Sequence, residues 1–264
     1  MIPAITSLDG AFRLDGQNAI ITGGNRGLGA AIGEAFAQSG ANVAIFCRDQ
    51  AKAAEQVEKL NAYGTKNQAF SCDVTSLESC KKAVDEAYEA FGNFDILVND
   101  AGVTATGELL DMDEDLSTWT RVIETDLNGT VRMTFVVGRK MREAGKGGCI
   151  INVTSNAGFM VNRSQAMSWY SSAKAGANHF THCMASELAK YDIRVNGIAP
   201  GFTNTELSKF IPSDMFDYIN DQTVTHRFGE PIEVGALAVY LASPAAAQMT
   251  GHIAVIDGGY MLRC

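Results

Sequence analysis

From residue 19 onward, short and wholly apolar runs alternate with longer stretches in which apolar residues recur every three or four positions. Unbroken apolar runs suit strands covered on both faces, and the helical period suits the elements that cover them. The pattern therefore predicts a parallel sheet joined by crossover helices, the α/β class. AIIT (19–22) reads as a buried strand and LGAAIGEAFAQSG (28–40) as a helix stopped by its last glycine. NVAIFC (42–47) is the second strand, a helix runs on to about Tyr63, and NQAFSCDV (67–74) is the third strand. A helix over 76–91 leads to FDILVN (94–99), and one long helix over 115–143 leads to GCIINVTS (148–155). A helix from about Tyr170 to about residue 190 precedes IRVNGIAP (193–200), and IAVID (253–257) closes one edge. The longest insertion between sheet elements, 202–230, is expected to form a binding lid.

Length and composition narrow this picture. A chain of 264 residues without a Pro/Ser-rich linker suits a single domain over 1–264, and 46% hydrophobic residues with 26 glycines suit a compact enzyme with many tight turns. No apolar run reaches 20 residues and the first residues lack a basic stretch followed by an apolar one, so a cytoplasmic protein with no membrane partner is expected. The net charge of −9 opposes nucleic acid and anionic lipid, so any polyanion must meet a local basic spot. The six cysteines (Cys47, Cys72, Cys80, Cys149, Cys183, Cys264) contain no C-x-x-C and point to reduced thiols. His179 and His182 are three apart but lack a carboxylate partner at ligand spacing, so core or interface packing is expected there and no metal site.

Two stretches carry candidate chemistry. TGGNRGLG (22–29) follows the first strand and opens the first helix, with Gly23, Gly27 and Gly29 spaced to let backbone N–H groups approach a pyrophosphate. The second strand ends without an acid, at Cys47, and is followed by Arg48, while Arg26 lies inside the glycine turn. Two guanidinium groups match a 2′-phosphate in charge and geometry, which favours NADP(H) over NAD, although Asp49 stands close by. In WYSSAK (169–174), Tyr170 and Lys174 are four apart and share one helix face. A fixed ammonium favours a neighbouring phenolate, so the pair is a candidate acid/base device.

Together these segments resemble the short-chain dehydrogenase/reductase family over nearly the whole chain. TGGNRGLG matches the family's cofactor turn, CDV (72–74) its adenine contact, NDAG (99–102) its N-N-A-G signature, YSSAK its Y-x-x-x-K and PGFTNT (200–205) its P-G segment. The resemblance implies a Rossmann, doubly wound parallel sheet of about seven strands with helices on both faces. It implies Tyr170 as proton donor and acceptor, Lys174 as its cationic partner and ribose ligand, and Ser155 as the hydrogen-bond donor to the substrate oxygen. The cofactor residues it implies are Gly23, Asn25, Arg26, Gly27, Leu28, Gly29, Arg48, Asp73, Val74, Asn99, Ala101, Gly102, Tyr170, Lys174, Pro200, Gly201, Thr203 and Thr205. Two positions depart from the pattern: Asp100 stands for the second Asn of N-N-A-G, and Asp126 for the helix asparagine that anchors a proton-relay water. That asparagine acts largely through its backbone carbonyl, which Asp126 retains, so activity is expected. The resemblance also implies a homotetramer built partly on the 115–143 and Tyr170 helices.

The loop SNAGFMVNRSQAMSWY (155–170), with Val161, Asn162 and Gln165, looks like the NADP-dependent polyol and ketose reductases of the family. A polyhydroxylated substrate needs several hydrogen-bonding side chains, and Asn156, Asn162, Arg163 and Gln165 are the candidates. The expectation is therefore an NADP(H)-dependent oxidoreductase that reversibly reduces a ketose to its polyol. Met160, Met167 and Trp169 leave open an apolar wall, and with it a sugar-acid or hydroxysteroid dehydrogenase. A cofactor-sensing binding protein is a reading of another class, disfavoured by the intact Ser155, Tyr170 and Lys174 set.

Overall fold

In the computed structural model, which describes residues 5–162, 165–206, 208 and 211–263, seven strands form one sheet in the order β3-β2-β1-β4-β5-β6-β7. They are β1 (Asn18–Thr22), β2 (Asn42–Cys47), β3 (Asn67–Ser71), β4 (Ile96–Asn99), β5 (Gly148–Val153), β6 (Ile193–Pro200) and β7 (Ile253–Ile256). Every neighbouring pair is parallel. The helices are α1 (Gly27–Gln38), α2 (Gln50–Asn61), α3 (Leu77–Phe91), α4 (Ser117–Val122), α5 (Asn128–Ala144), α6 (Ser168–Leu188), α7 (Ser213–Gln222) and α8 (Pro231–Ala242).

Strand alternation assigns the two cores. Ile21, Val43, Ile45, Val98 and Ile151 point to one face, where they meet Ile32 and Phe36 of α1, Leu60 of α2 and Leu241 of α8. Ile20, Phe46, Leu97 and Ile150 point to the other, against Val84 of α3 and Met133 and Val137 of α5. Covered on both sides, the strands have no polar face, which is why they appear in the sequence as solid apolar blocks. The chain reverses its order of strand addition between β1 and β4, and the carboxyl ends of those strands open a crevice at this switch point.

Besides α7, which forms inside the 202–230 insertion, three elements differ from the sequence pattern. β3 ends at Ser71 rather than Val74, because the Asp73 carboxylate accepts the Thr75 N–H (3.0 Å) and hydroxyl (2.8 Å) and turns the chain. The predicted helix over 115–143 is broken into α4, a π-helical segment at Ile123–Leu127 and α5. The carbonyl of Asp126 in that segment accepts the Thr130 hydroxyl at 3.0 Å, and the wider turn is a local distortion of the kind that gathers at functional sites. α8 has no counterpart among the predicted elements, since PIEVGALAVYLA is apolar nearly all round and lacks amphipathic contrast. Its start is nonetheless marked, with Pro231 in the first turn and Glu233 Oε2 accepting the Glu230 N–H at 2.7 Å.

Cys47, Cys72, Cys80 and Cys149 are buried free thiols and Cys183 is an exposed one, while Cys264 lies outside the described residues. His179 and His182 are exposed on α6 with ring centroids 6.2 Å apart, so neither belongs to the core. Among the described residues no helix is long and apolar enough to cross a membrane.

Candidate active site

The crevice at the switch point is a cavity of about 1210 Å³ whose lining runs from the glycine turn to the segment around Met215. At one end the chain leaves β1 through Gly23, whose φ is +71° and whose added Cβ would lie 3.1 Å from the Ala101 backbone. Gly27 has a φ of +57°, and a Cβ there would meet no protein atom within 4 Å. Bare backbone at the N-terminus of α1 therefore faces the open cavity, a fit for the pyrophosphate of a dinucleotide. Thr22 Oγ1 accepts the N–H groups of Asp100 (3.0 Å) and Ala101 (3.1 Å), which ties the loop after β4 to the end of β1.

Arg26 and Arg48 are both exposed at this end and both line the cavity. Asp49 caps α2, its Oδ1 accepting the Lys52 N–H at 3.1 Å. Burial alone would push the Asp73 carboxyl up, but the Thr75 hydrogen bonds and then the charges of Arg48 and Arg132 hold it below the usual carboxylate range.

At the other end, Tyr170 and Lys174 project from the first turns of α6. Trp169 fixes that end of the helix by donating Nε1–H to the Ala105 carbonyl at 2.9 Å. Lys174 is buried; its Nζ donates to the Val153 carbonyl at the end of β5 (3.1 Å), lies 3.3 Å from Asp126 Oδ2 and stands 5.5 Å from the Tyr170 ring centroid. Burial would push the ammonium down, but the Asp126 carboxylate, then Tyr170 and Asp100, more than offset it and raise Lys174 above its ordinary value. Asp126 Oδ1 accepts the Val103 N–H at 2.9 Å, so one carboxylate joins α6 to the loop after β4. Ser155, just beyond β5, is buried, and its Oγ accepts the Ala157 N–H at 3.1 Å.

The cavity brings together most of the residues singled out in the sequence. Ser155, Tyr170, Lys174 and Asp126 line it, as do Asn25, Leu28, Val74, Gly102, Gly201, Thr203 and Thr205. Asn156, Asn162 and Gln165 line it too, whereas Arg163 lies outside the described residues. Asn156 Nδ2 is buried with no hydrogen-bond partner among the described residues. Three of the candidate cofactor residues do not line it. Asn99 is the buried last residue of β4, its Nδ2 donating to Asn152 Oδ1 (2.9 Å) and Thr134 Oγ1 (3.2 Å), and Pro200 is the buried last residue of β6. Gly29 packs behind the turn against Asp100. Of the expected apolar wall only Met167 faces the cavity: Trp169 packs with Val122 and Ala173, and Met160 with Phe228 and Tyr260. The apolar lining comes instead from Phe202, Ile211, Met215 and Phe228, in the 202–230 insertion, and only the ordered fold reveals it.

Residues 23–261 match the family model described as enoyl-(acyl carrier protein) reductase. The NADP-dependent mannitol dehydrogenase of Alternaria alternata is 35% identical over 99% of this chain and 98% of that protein. The galactitol 2-dehydrogenase (L-tagatose-forming) of Cereibacter sphaeroides is 37% identical over 94% of this chain and 96% of that protein. Among solved structures, a short-chain type dehydrogenase/reductase from Mycobacterium marinum superposes with a TM-score of 0.92 at 35% identity, covering 96% of this chain and 99% of that one.

Proposed function

The chain belongs to the short-chain dehydrogenase/reductase family and is an oxidoreductase of CH–OH donors, and we propose that it reversibly reduces a ketose to its polyol with NADP(H). The observation that carries this reading is the single cavity in which Ser155, Tyr170 and Lys174 face the same space as the glycine turn, Arg26 and Arg48. The cofactor, when bound, supplies or accepts the hydride. Tyr170 gives its phenolic proton to the carbonyl oxygen and takes it back in the oxidative direction. The Lys174 ammonium stabilises the phenolate left behind and holds the nicotinamide ribose, and the Ser155 hydroxyl donates to the substrate oxygen.

Three features support NADP(H): the two exposed arginines at the adenine end, the use of Asp49 as a helix cap, and the NADP dependence of the Alternaria relative. Replacing Arg48 with alanine is expected to weaken NADPH by about tenfold or more while changing NADH little, because a charge-assisted contact contributes about 1.5–3 kcal/mol. Fluorescence titration of both cofactors checks this, and equal losses on both would contradict it.

The substrate class rests on the Asn156, Asn162 and Gln165 edges and on the polyol chemistry named for both relatives. Residues 202–230 form the lid in this reading. A second reading, a hydroxysteroid dehydrogenase, draws on Ile211, Met215 and Phe228, which give the cavity an apolar side. NADPH oxidation with ketoses, keto sugar acids and keto steroids separates them, and the expected order places ketoses first. A homotetramer is part of the proposal, supported by the exposed Val131 and Phe135 on α5. Sedimentation at micromolar concentration should give the tetramer mass, and a lone monomer there would sink the idea.

A further inference from the structure

Asp100 lines the cavity without a role in the reading above. Its Oδ2 lies 2.6 Å from the point where a Cβ on Gly29 would sit, so only a glycine there leaves room for the carboxylate. The Gly29 N–H faces the carboxylate and favours its charged form, which sets Asp100 behind the first turn of α1, at the positive end of a 12-residue helix. Two other charged groups face it: Lys174 from α6 and Asp126 from the π-helical segment. Lys174 is already paired with Asp126 at 3.3 Å, so one ammonium serves two carboxylates.

We propose that Asp100 is a proton-binding site in the cofactor cleft, and that a dinucleotide settling on the α1 N-terminus makes its carboxyl group take up a proton. The inference rests on the dinucleotide reading of the cavity. Phosphate and carboxylate compete for the same positive helix end, and the cofactor covers Asp100 and removes its access to water. Both effects disfavour the charged carboxylate in the complex. The free protein is poised for this: burial pushes Asp100 up to about 7, Asp126 adds to the push, and Lys174 and the Gly29 N–H oppose it only in part. No histidine is among the described residues lining the cavity; Cys47 is pushed up to about 11 by burial and Asp49, and Asp73 is held low.

Because the bound form prefers the protonated carboxyl, affinity is fully present below the free value and falls as pH rises above it, by up to about tenfold per pH unit. The test is NADH and NADPH dissociation constants from pH 6 to 9 for the wild type, Asp100→Asn and Asp100→Ser. NADH carries no 2′-phosphate to titrate in this window, and for NADPH that phosphate contributes equally to all three proteins. The wild type should weaken progressively above about pH 7 and take up close to one proton on binding at about pH 8, read by calorimetry in two buffers of different ionisation enthalpy. Both variants should bind NADH with a flat pH profile and little proton uptake. Parallel pH profiles for the wild type and a folded variant would overturn the proposal, as would wild-type binding without proton uptake. Failure of the wild type to bind either cofactor at any pH would overturn the dinucleotide reading, and this inference with it.

Discussion

Tyr170→Phe is expected to bind NADPH with nearly wild-type affinity and to lose turnover by about 10²–10⁴-fold, the usual worth of a positioned acid/base group. The substitution removes one oxygen and leaves the ring. Its neighbours are therefore kept: the Lys174 ammonium stands 5.5 Å from the ring centroid and is held in place by Val153 and Asp126, not by the phenol. The glycine turn and the arginines that would hold the cofactor lie on other elements, after β1 and β2. A fluorescence titration gives the affinity and steady-state NADPH oxidation gives the rate. Near-normal turnover would remove Tyr170 from the mechanism, whereas parallel loss of binding and rate would mean that the substitution damages the cleft as a whole.

Lys174→Met is expected to abolish turnover and also to destabilise the fold, by about 3–5 kcal/mol, because it strands buried carboxylates that now share one cation. Asp126 is 2% exposed and its Oδ2 has Lys174 as its only ion-pair partner among the described residues, with Asp100 close enough to feel both charges. Without the ammonium that now opposes its burial, the Asp100 carboxyl favours its neutral form further, so its value in the folded variant stays above that in the unfolded chain. Stability should then fall as pH increases, with a larger deficit at pH 8 than at pH 6. Adding Asp126→Asn removes the stranded charge and should restore part of the loss without restoring turnover. Urea unfolding of the single and double variants measures both effects, and equal stabilities at both pH values would contradict the charge account.

Much of the fold was legible because burial on both faces writes each strand as a solid apolar block, and β2 begins and ends where NVAIFC does. The glycine turn and the Tyr170/Lys174 pair were legible for a related reason: each depends on local spacing along a single element. What stayed hidden depends on partners distant in sequence. α8 is apolar all round because it packs on both α1 and the sheet, so it has no amphipathic stripe to detect. The π-helical break at Ile123–Leu127 follows from a local change in helix pairing that residue types do not announce. The place of Asn99 in NDAG gives no hint that its side-chain amide also ties β4 to Asn152 of β5 and Thr134 of α5. Asp100 and Asp126 are 26 positions apart in the chain, and only the folded crevice turns them into two carboxylates around one lysine.

The most direct test of the central claim is isotope transfer from NADPH carrying deuterium at the transferable position of its nicotinamide ring, with a ketose such as fructose, xylulose or sorbose as acceptor. If Ser155, Tyr170 and Lys174 serve hydride transfer to a ketose, the product is the polyol with one deuterium on the former carbonyl carbon, and Tyr170→Phe forms almost none. A wild-type protein that binds NADPH yet leaves every ketose unlabelled, while labelling the carbinol carbon of a keto steroid, would contradict the assignment of the substrate. Labelling of neither would contradict the assignment of the chemistry.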